Sequence, residues 1–158
     1  MNDPIGLNPL QEEERLSIFE LSGKLFGLDI TRSREVIPLP RFTALPNSGD
    51  IFFGVFNLRG EIFPLIDISP VLGLPSKQIQ SDDMAILLDG PDGIIMAMLA
   101  DKIYSVLTYT EAELKQARGM VSRGMEGHIA GILENNDSII HMLDLDSIFN
   151  AKELLAHF

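Results

Sequence analysis

The sequence predicts a mainly β protein built from two similar small barrels, with few short helices and a C-terminal helix. Three observations predict it. From Leu16 onward, apolar runs of strand length alternate with turn formers, the pattern of an all-β barrel or sandwich. One strand-turn-strand-helix segment occurs twice, and helical periodicity is confined to short stretches. At 158 residues the chain suits one domain, which can bury roughly 70% of its unfolded surface and fold without staples.

Residues 1 to about 15 read as a flexible tail, since the prolines, the glycine and asparagine breaks and the run Glu12-Glu13-Glu14 build no apolar face. Leu16 to Leu21 and Leu25 to Ile30 are strands around a Ser22-Gly23-Lys24 turn. Arg32-Ser33-Arg34-Glu35 then interrupts the pattern, either as a solvated break or as a binding segment, and Leu45-Pro46-Asn47-Ser48-Gly49 is a loop. Phe52 to Phe56 and Glu61 to Ile66 are the arms of a hairpin. Asn57 and Gly60 suit the first and fourth positions of a type I turn, which places Leu58 and Arg59 at the tip. Ser69, Pro70 and Gly73 read as cap, first position and stop of barely one helical turn. Met84 to Leu88, Ile94 to Leu99 and Ile103 to Tyr109 are further strands, the first two joined by Gly90-Pro91-Asp92-Gly93. Glu111 to Arg118 is a candidate helix. Asp146 caps a final helix whose Ile148, Phe149, Leu154 and Leu155 form one apolar stripe.

The repeat is the most informative feature. Residues 54–72, GVFNLRGEIFPLIDISPVL, lie over residues 131–149, GILENNDSIIHMLDLDSIF, at an offset of 77 without gaps. The leading Gly, an Ile and the Asp are identical, and eight further columns are apolar in both. Upstream, Leu28 to Ile37 lies over Met98 to Leu107 at an offset of 70. Two copies of one unit imply two similar barrels. The second copy carries Asn135 and Asn136 at its turn and lacks any counterpart of Leu58-Arg59-Gly60. Turn formation therefore does not demand that pair, which is either incidental or present to touch a partner.

Composition narrows the chemistry. The net charge of −11, with 12 basic residues scattered among 23 acidic ones, argues against nucleic acid and anionic membranes and leaves a protein partner. No apolar run reaches the roughly 20 residues of a membrane-spanning helix. The acidic N-terminus has no secretory pattern, and there is no cysteine, so the expectation is a soluble cytoplasmic protein. His128, His141 and His157 have no metal-site spacing, and no nucleophile elbow, dinucleotide fingerprint or phosphate loop occurs. No cofactor, metal or catalytic residue is expected. Asp67 and Asp144 offer a rival reading as an acid/base pair of a barrel enzyme acting on a small ligand. The structural alternative has each carboxylate satisfying free N–H groups between a strand and a helix start. Most methionines read as core fillers, while Met120 and Met125, in a Gly-rich loop, are candidate surface contacts.

In order along the chain, LSIFELSGKLFGLDI, SREVIPLPRFTALPN, GVFNLRGEIFPLIDISPVLGL and GHIAGILENNDSIIHMLDLDSIF resemble the CheW-like chemotaxis coupling proteins. The resemblance spans roughly residues 16–150, with residues 151–158 as the end of the C-terminal helix; the N-L-R-G hairpin is its most specific part. It implies two SH3-like five-stranded β-barrel subdomains on a shared hydrophobic core and no catalytic activity. It also implies an adaptor that binds chemoreceptor (methyl-accepting chemotaxis protein) cytoplasmic tips and the regulatory barrel domain of a CheA-type histidine kinase. Carried over by position, receptor contact falls on Arg59, with Asn57, Leu58 and Gly60 shaping the tip, and on Glu35 followed by Val36. Ser33 departs from the branched apolar residue expected two places before that glutamate, and residues 120–128 match too poorly to carry any role. The same resemblance fits an adaptor of type IV pilus motility or of another chemosensory pathway, which the sequence does not separate.

Overall fold

The computed structural model describes residues 12–46 and 49–155; expectations for residues 1–11, Asn47, Ser48, the Leu155 side chain and His157 fall outside that range. The apolar runs form β1 (Glu13–Leu21), β2 (Lys24–Asp29), β3 (Ser33–Pro38), β4 (Phe52–Leu58), β5 (Glu61–Ile66), β6 (Met84–Asp89), β7 (Ile95–Ala100), β8 (Lys102–Thr110), β9 (Ile129–Asn135) and β10 (Ser138–Leu143). Strand β1 begins at Glu13, before the apolar run, because Glu13 and Glu14 pair with Thr110 and Tyr109 through the backbone and leave their side chains in solvent.

The strands form two five-stranded sheets, ordered β8-β1-β2-β10-β9 and β3-β6-β7-β5-β4. Two barrels are therefore present, but neither is made by one copy of the repeat. The first copy runs β1 to β5 and the second β6 to β10. Barrel 1 combines β1 and β2 of the first copy with β8, β9 and β10 of the second, and barrel 2 combines the remainder. The copies exchange their last three strands. Both parallel pairings, β2 with β10 and β5 with β7, join strands of different copies. The chain passes between barrels twice, through a 3-10 turn at Ile30–Arg32 and through Asp101 between β7 and β8.

One device closes each barrel. The segment after β3 returns so that Thr43 bridges Val55 of β4, and the segment after β8 returns so that Lys115 bridges Ile132 of β9. Val55 and Ile132 are equivalent in the repeat. The glycine before each explains the identical residue heading both copies. A Cβ on Gly54 would overlap the Thr43 carbonyl, and one on Gly131 would lie 2.5 Å from Leu114 Cγ. The Lys115 bridge also corrects the helix expected over Glu111 to Arg118, of which a 3-10 turn at Glu111–Glu113 exists.

Side-chain alternation then builds three cores. Ala85 and Leu87 of β6 fill barrel 2 with Phe56, Phe63 and Leu65. Leu16, Ile18, Leu133 and Ile140 fill barrel 1. The intervening side chains, Ile86 and Leu88 of β6, Met96 and Met98 of β7, Phe26 and Leu28 of β2, meet in a shared core between the barrels. Neighbouring Ile18 and Phe19 of β1 serve different cores because successive side chains of a strand point to opposite faces. Each such side chain contributes about 1.5–3 kcal/mol on burial. Strands buried on both faces explain why β6 and β7 read as unbroken apolar runs.

The short helices need three corrections. Asp144, not Asp146, is the N-cap of the C-terminal helix, accepting a hydrogen bond from the Ser147 N–H at 3.1 Å, and the helix is divided into α2 (Leu145–Phe149) and α3 (Lys152–Leu155). A further short helix, α1 (Arg123–Glu126), buries Met125 to 2% exposure, so of the two loop methionines Met120 alone is exposed. The turn over Ser69 to Gly73 forms, with Gly73 N–H bonded to Pro70 O, but Ser69 is not its cap: the Ser69 hydroxyl is buried without a hydrogen-bond partner, and Asp67 accepts from the Ser69 N–H ahead of the turn.

Two stability predictions follow from these contacts. Gly54→Ala, which meets fixed backbone, costs about 3 kcal/mol or more, whereas Gly131→Ala, which meets a side chain able to turn aside, costs about 1–2 kcal/mol; urea unfolding of both variants checks the order. Asp144→Ala costs about 1 kcal/mol through loss of the cap, and Asp146→Ala less, in the same assay.

Candidate functional site

The β4–β5 hairpin is anchored by Phe56 and Phe63, paired across the ladder with ring centroids 5.8 Å apart. Leu58 pairs directly with Glu61, so the loop consists of Arg59 and Gly60, at φ 52° and 86°. Positive φ at both positions marks a type I′ turn in place of the expected type I, because I′ matches the right-handed twist of the arms. Asn57 Oδ1 accepts a hydrogen bond from the Gly60 N–H at 3.1 Å. Leu58 is still in the strand and shares the inward face with Phe56. Partly buried, it packs on the core of barrel 2, which corrects its expected place at the tip. The exposed apolar neighbour of the tip is Ile62, opposite Asn57 and 61% exposed.

Arg59 thus occupies a left-handed backbone conformation that Asn, Asp and Gly adopt more readily. The equivalent turn of β9–β10 uses Asn136 and Asp137, at φ 48° and 67°, one residue later than the expected Asn135-Asn136. The same turn is therefore available with residues better suited to it, and the arginine is not there for the backbone.

Its side chain donates from Nη2 to Glu35 Oε1 on β3. Glu35 follows a bulge at Ser33 and turns the opposite way from Val36, which is 38% exposed on the outer face. The hydrogen bond to Glu35 and its charge raise the Arg59 pKa above its ordinary value, against slight desolvation, so the guanidinium is a permanent cation. Yet 67% of its side chain is exposed. The pair orients the fork without hiding it, and donors remain for an incoming carboxylate.

Glu35 lies on β3 and Arg59 in the turn that follows β4, and β3 and β4 are the two end strands of the second sheet, so their pair spans the mouth of barrel 2. At the equivalent mouth of barrel 1 the corresponding residues are Ser105 and Asn136. There a cleft of about 430 Å³ opens onto the interior residues Ile18, Leu25, Leu107 and Ile140. The structure brings Glu35, Asn57, Arg59 and Gly60 together, and sends Val36 and Leu58 to other faces.

Sequence reasoning missed several polar contacts. Arg32 donates to Asp146 at 3.1 Å and to the Asp89 carbonyl at 3.1 Å, and Arg34 pairs with Asp89 at 2.6 Å. All the charged residues of the Arg32-to-Glu35 break are thus paired. Lys77 is held by Asp83 and Asp101. These partners are far apart in the chain and follow no periodic rule. Asp67 accepts from the N–H groups of Ser69 at 3.0 Å and Lys77 at 2.7 Å, so both repeated aspartates bind backbone as the structural reading expects. The pocket lined by Asp144 does not include Asp67. Among the described residues no group of three or more His, Asp or Glu is placed to hold a metal.

The family model described as CheW-like domain matches residues 15–153. The chain is 28% identical to the chemotaxis protein CheW of Thermotoga maritima, over 88% of this chain and 89% of that one. It is also 28% identical to a probable chemotaxis protein CheW of Rhizobium etli, over 90% and 92%. The crystal structure of the scaffolding protein TtCheW from Thermoanaerobacter tengcongensis superposes with a TM-score of 0.77 at 23% identity, covering 94% and 95% of the two chains, and shares the two-subdomain β fold. With the duplicated barrels and the N-L-R-G hairpin in place, the chain belongs to the CheW-like domain family, the non-catalytic adaptors of chemotaxis.

Proposed function

We propose that this chain links the cytoplasmic tips of chemoreceptors to a CheA-type histidine kinase, working in the cytoplasm at the membrane-associated receptor array. The observation that carries the reading is Arg59. It sits on a turn its backbone disfavours, is steered by Glu35 and is left reachable, while the sister turn is built from Asn136 and Asp137. A receptor helix carrying carboxylates meets a guanidinium fork there, with apolar area from exposed Ile62 beside it. Among the described residues no helix is long and apolar enough to cross a membrane, which accords with array attachment through partners. The kinase barrel domain, a relative of these barrels, binds elsewhere on the chain.

Gel filtration of the full chain with a receptor-tip fragment and the kinase barrel domain yields one joint complex. Arg59→Glu, which sets a second carboxylate against Glu35, weakens receptor binding about tenfold or more and leaves kinase binding and the melting temperature nearly unchanged. Arg59→Asn, which copies the sister turn, loses receptor binding with equal or higher stability. Full receptor binding by both variants overturns the reading, as does unfolding of both.

A further inference from the structure

Most charged pairs on this molecule are solvent-exposed, but one ammonium is not. Among the ion pairs of the described residues, Lys77 is the basic group with a side chain only 4% exposed, held between Asp83 at 2% and Asp101 at 29%. Lys77 lies in the segment between β5 and β6. Its Nζ donates to Asp83 Oδ1 at 2.8 Å, to Asp101 Oδ1 and to the Gln78 carbonyl. Its own N–H is taken by Asp67 at the end of β5. Asp83, just before β6, also accepts from the Gln80 N–H at 2.7 Å, and its carbonyl accepts from the Leu39 N–H after β3. Desolvation works against the ammonium, and the hydrogen bonds to Asp101 and Asp83 outweigh it, raising its pKa.

The position of Asp101 gives this cluster its reach. Asp101 is the second crossing between the barrels, and it is tied to barrel 1 twice. Its N–H donates to the Glu20 carbonyl at 2.9 Å, and its Oδ2 accepts from the Ser22 N–H at 2.9 Å in the β1–β2 turn. One ammonium therefore connects the β5–β6 segment of barrel 2, the crossing and the first hairpin of barrel 1. The first crossing has a weaker tie. Arg32 reaches Asp146 and the Asp89 carbonyl, but the two side chains are 30% and 79% exposed, where water and salt screen the pair. The shared core between the barrels is apolar, and apolar contact is non-directional. It holds the barrels together by close packing, to which the bonds of Lys77 add direction.

We propose that Lys77 is a positioning residue that sets the angle between the two barrels, acting through Asp101 and the Ser22 turn. Directional bonds from a buried charge are a poor source of net stability, because desolvation offsets them, and a good means of selecting one arrangement among several of similar packing. Any surface built from both barrels inherits its geometry from this residue.

The test uses the full chain, which contains no cysteine, so that Ile62→Cys and Ile139→Cys accept one nitroxide each. These sites are 61% and 49% exposed and lie on different barrels. Pulsed electron resonance then reads the distance distribution between the barrels in the labelled parent, in Lys77→Met, in the charge-free Lys77→Met/Asp83→Asn/Asp101→Asn and in Arg32→Met. The parent and Arg32→Met give the same narrow distribution. Lys77→Met gives a broader and displaced one, and the triple variant stays folded by circular dichroism with the distribution still broad. The proposal is overturned if either Lys77 variant keeps the parent distribution, if Arg32→Met broadens it as much, or if both Lys77 variants unfold the two barrels together.

Discussion

The structure depends on the exchange of strands between its two halves. Because β3 to β5 leave the first copy and β8 to β10 leave the second, neither barrel can close without strands from the other copy. The strands that remain behind, β1, β2, β6 and β7, supply much of the core between the barrels. Their second face is apolar because it never reaches water. Large non-directional burial then comes with an interlocked topology: pulling the two copies apart would break both parallel seams, and pulling the barrels apart would expose the shared core.

Duplication makes the departures from symmetry informative. Both copies keep the bridging residue on the fourth or ninth strand, the glycine before it and an aspartate after the hairpin, since these solve the same closure and capping problems twice. At the hairpin tip and across the barrel mouth they differ. One mouth carries an arginine and a glutamate in contact; the other is an open cleft. A feature that the fold does not require in one copy, and that sits on a less suitable backbone in the other, is where recognition is to be sought in an adaptor without catalysis.

Much of this was legible in the sequence, and the reasons for the rest are physical. Apolar runs and turn residues mark strands, and the offset of 77 marked both hairpins and both backbone-binding aspartates. Periodicity says which residues share a face but not which strand lies alongside, so the exchange between copies was invisible. The tip was misread by one position. Turn type depends on strand twist, which residue preference does not encode when Arg sits where Asn or Gly is usual, and Leu58 consequently turned inward. Asp144 caps in place of the expected Asp146, since the helix begins at Leu145 and Asp146 already lies in its first turn. Ion pairs such as Lys77 with Asp101 join segments whose proximity is a product of the finished fold.

Native-state hydrogen exchange, followed residue by residue with increasing urea, tests the interlocked core most directly. Interlocking requires the most protected amides of β1 and β2 in one barrel and of β6 and β7 in the other to share one opening free energy and one urea dependence. Two separate classes, with one barrel exchanging while the other stays protected, would contradict it.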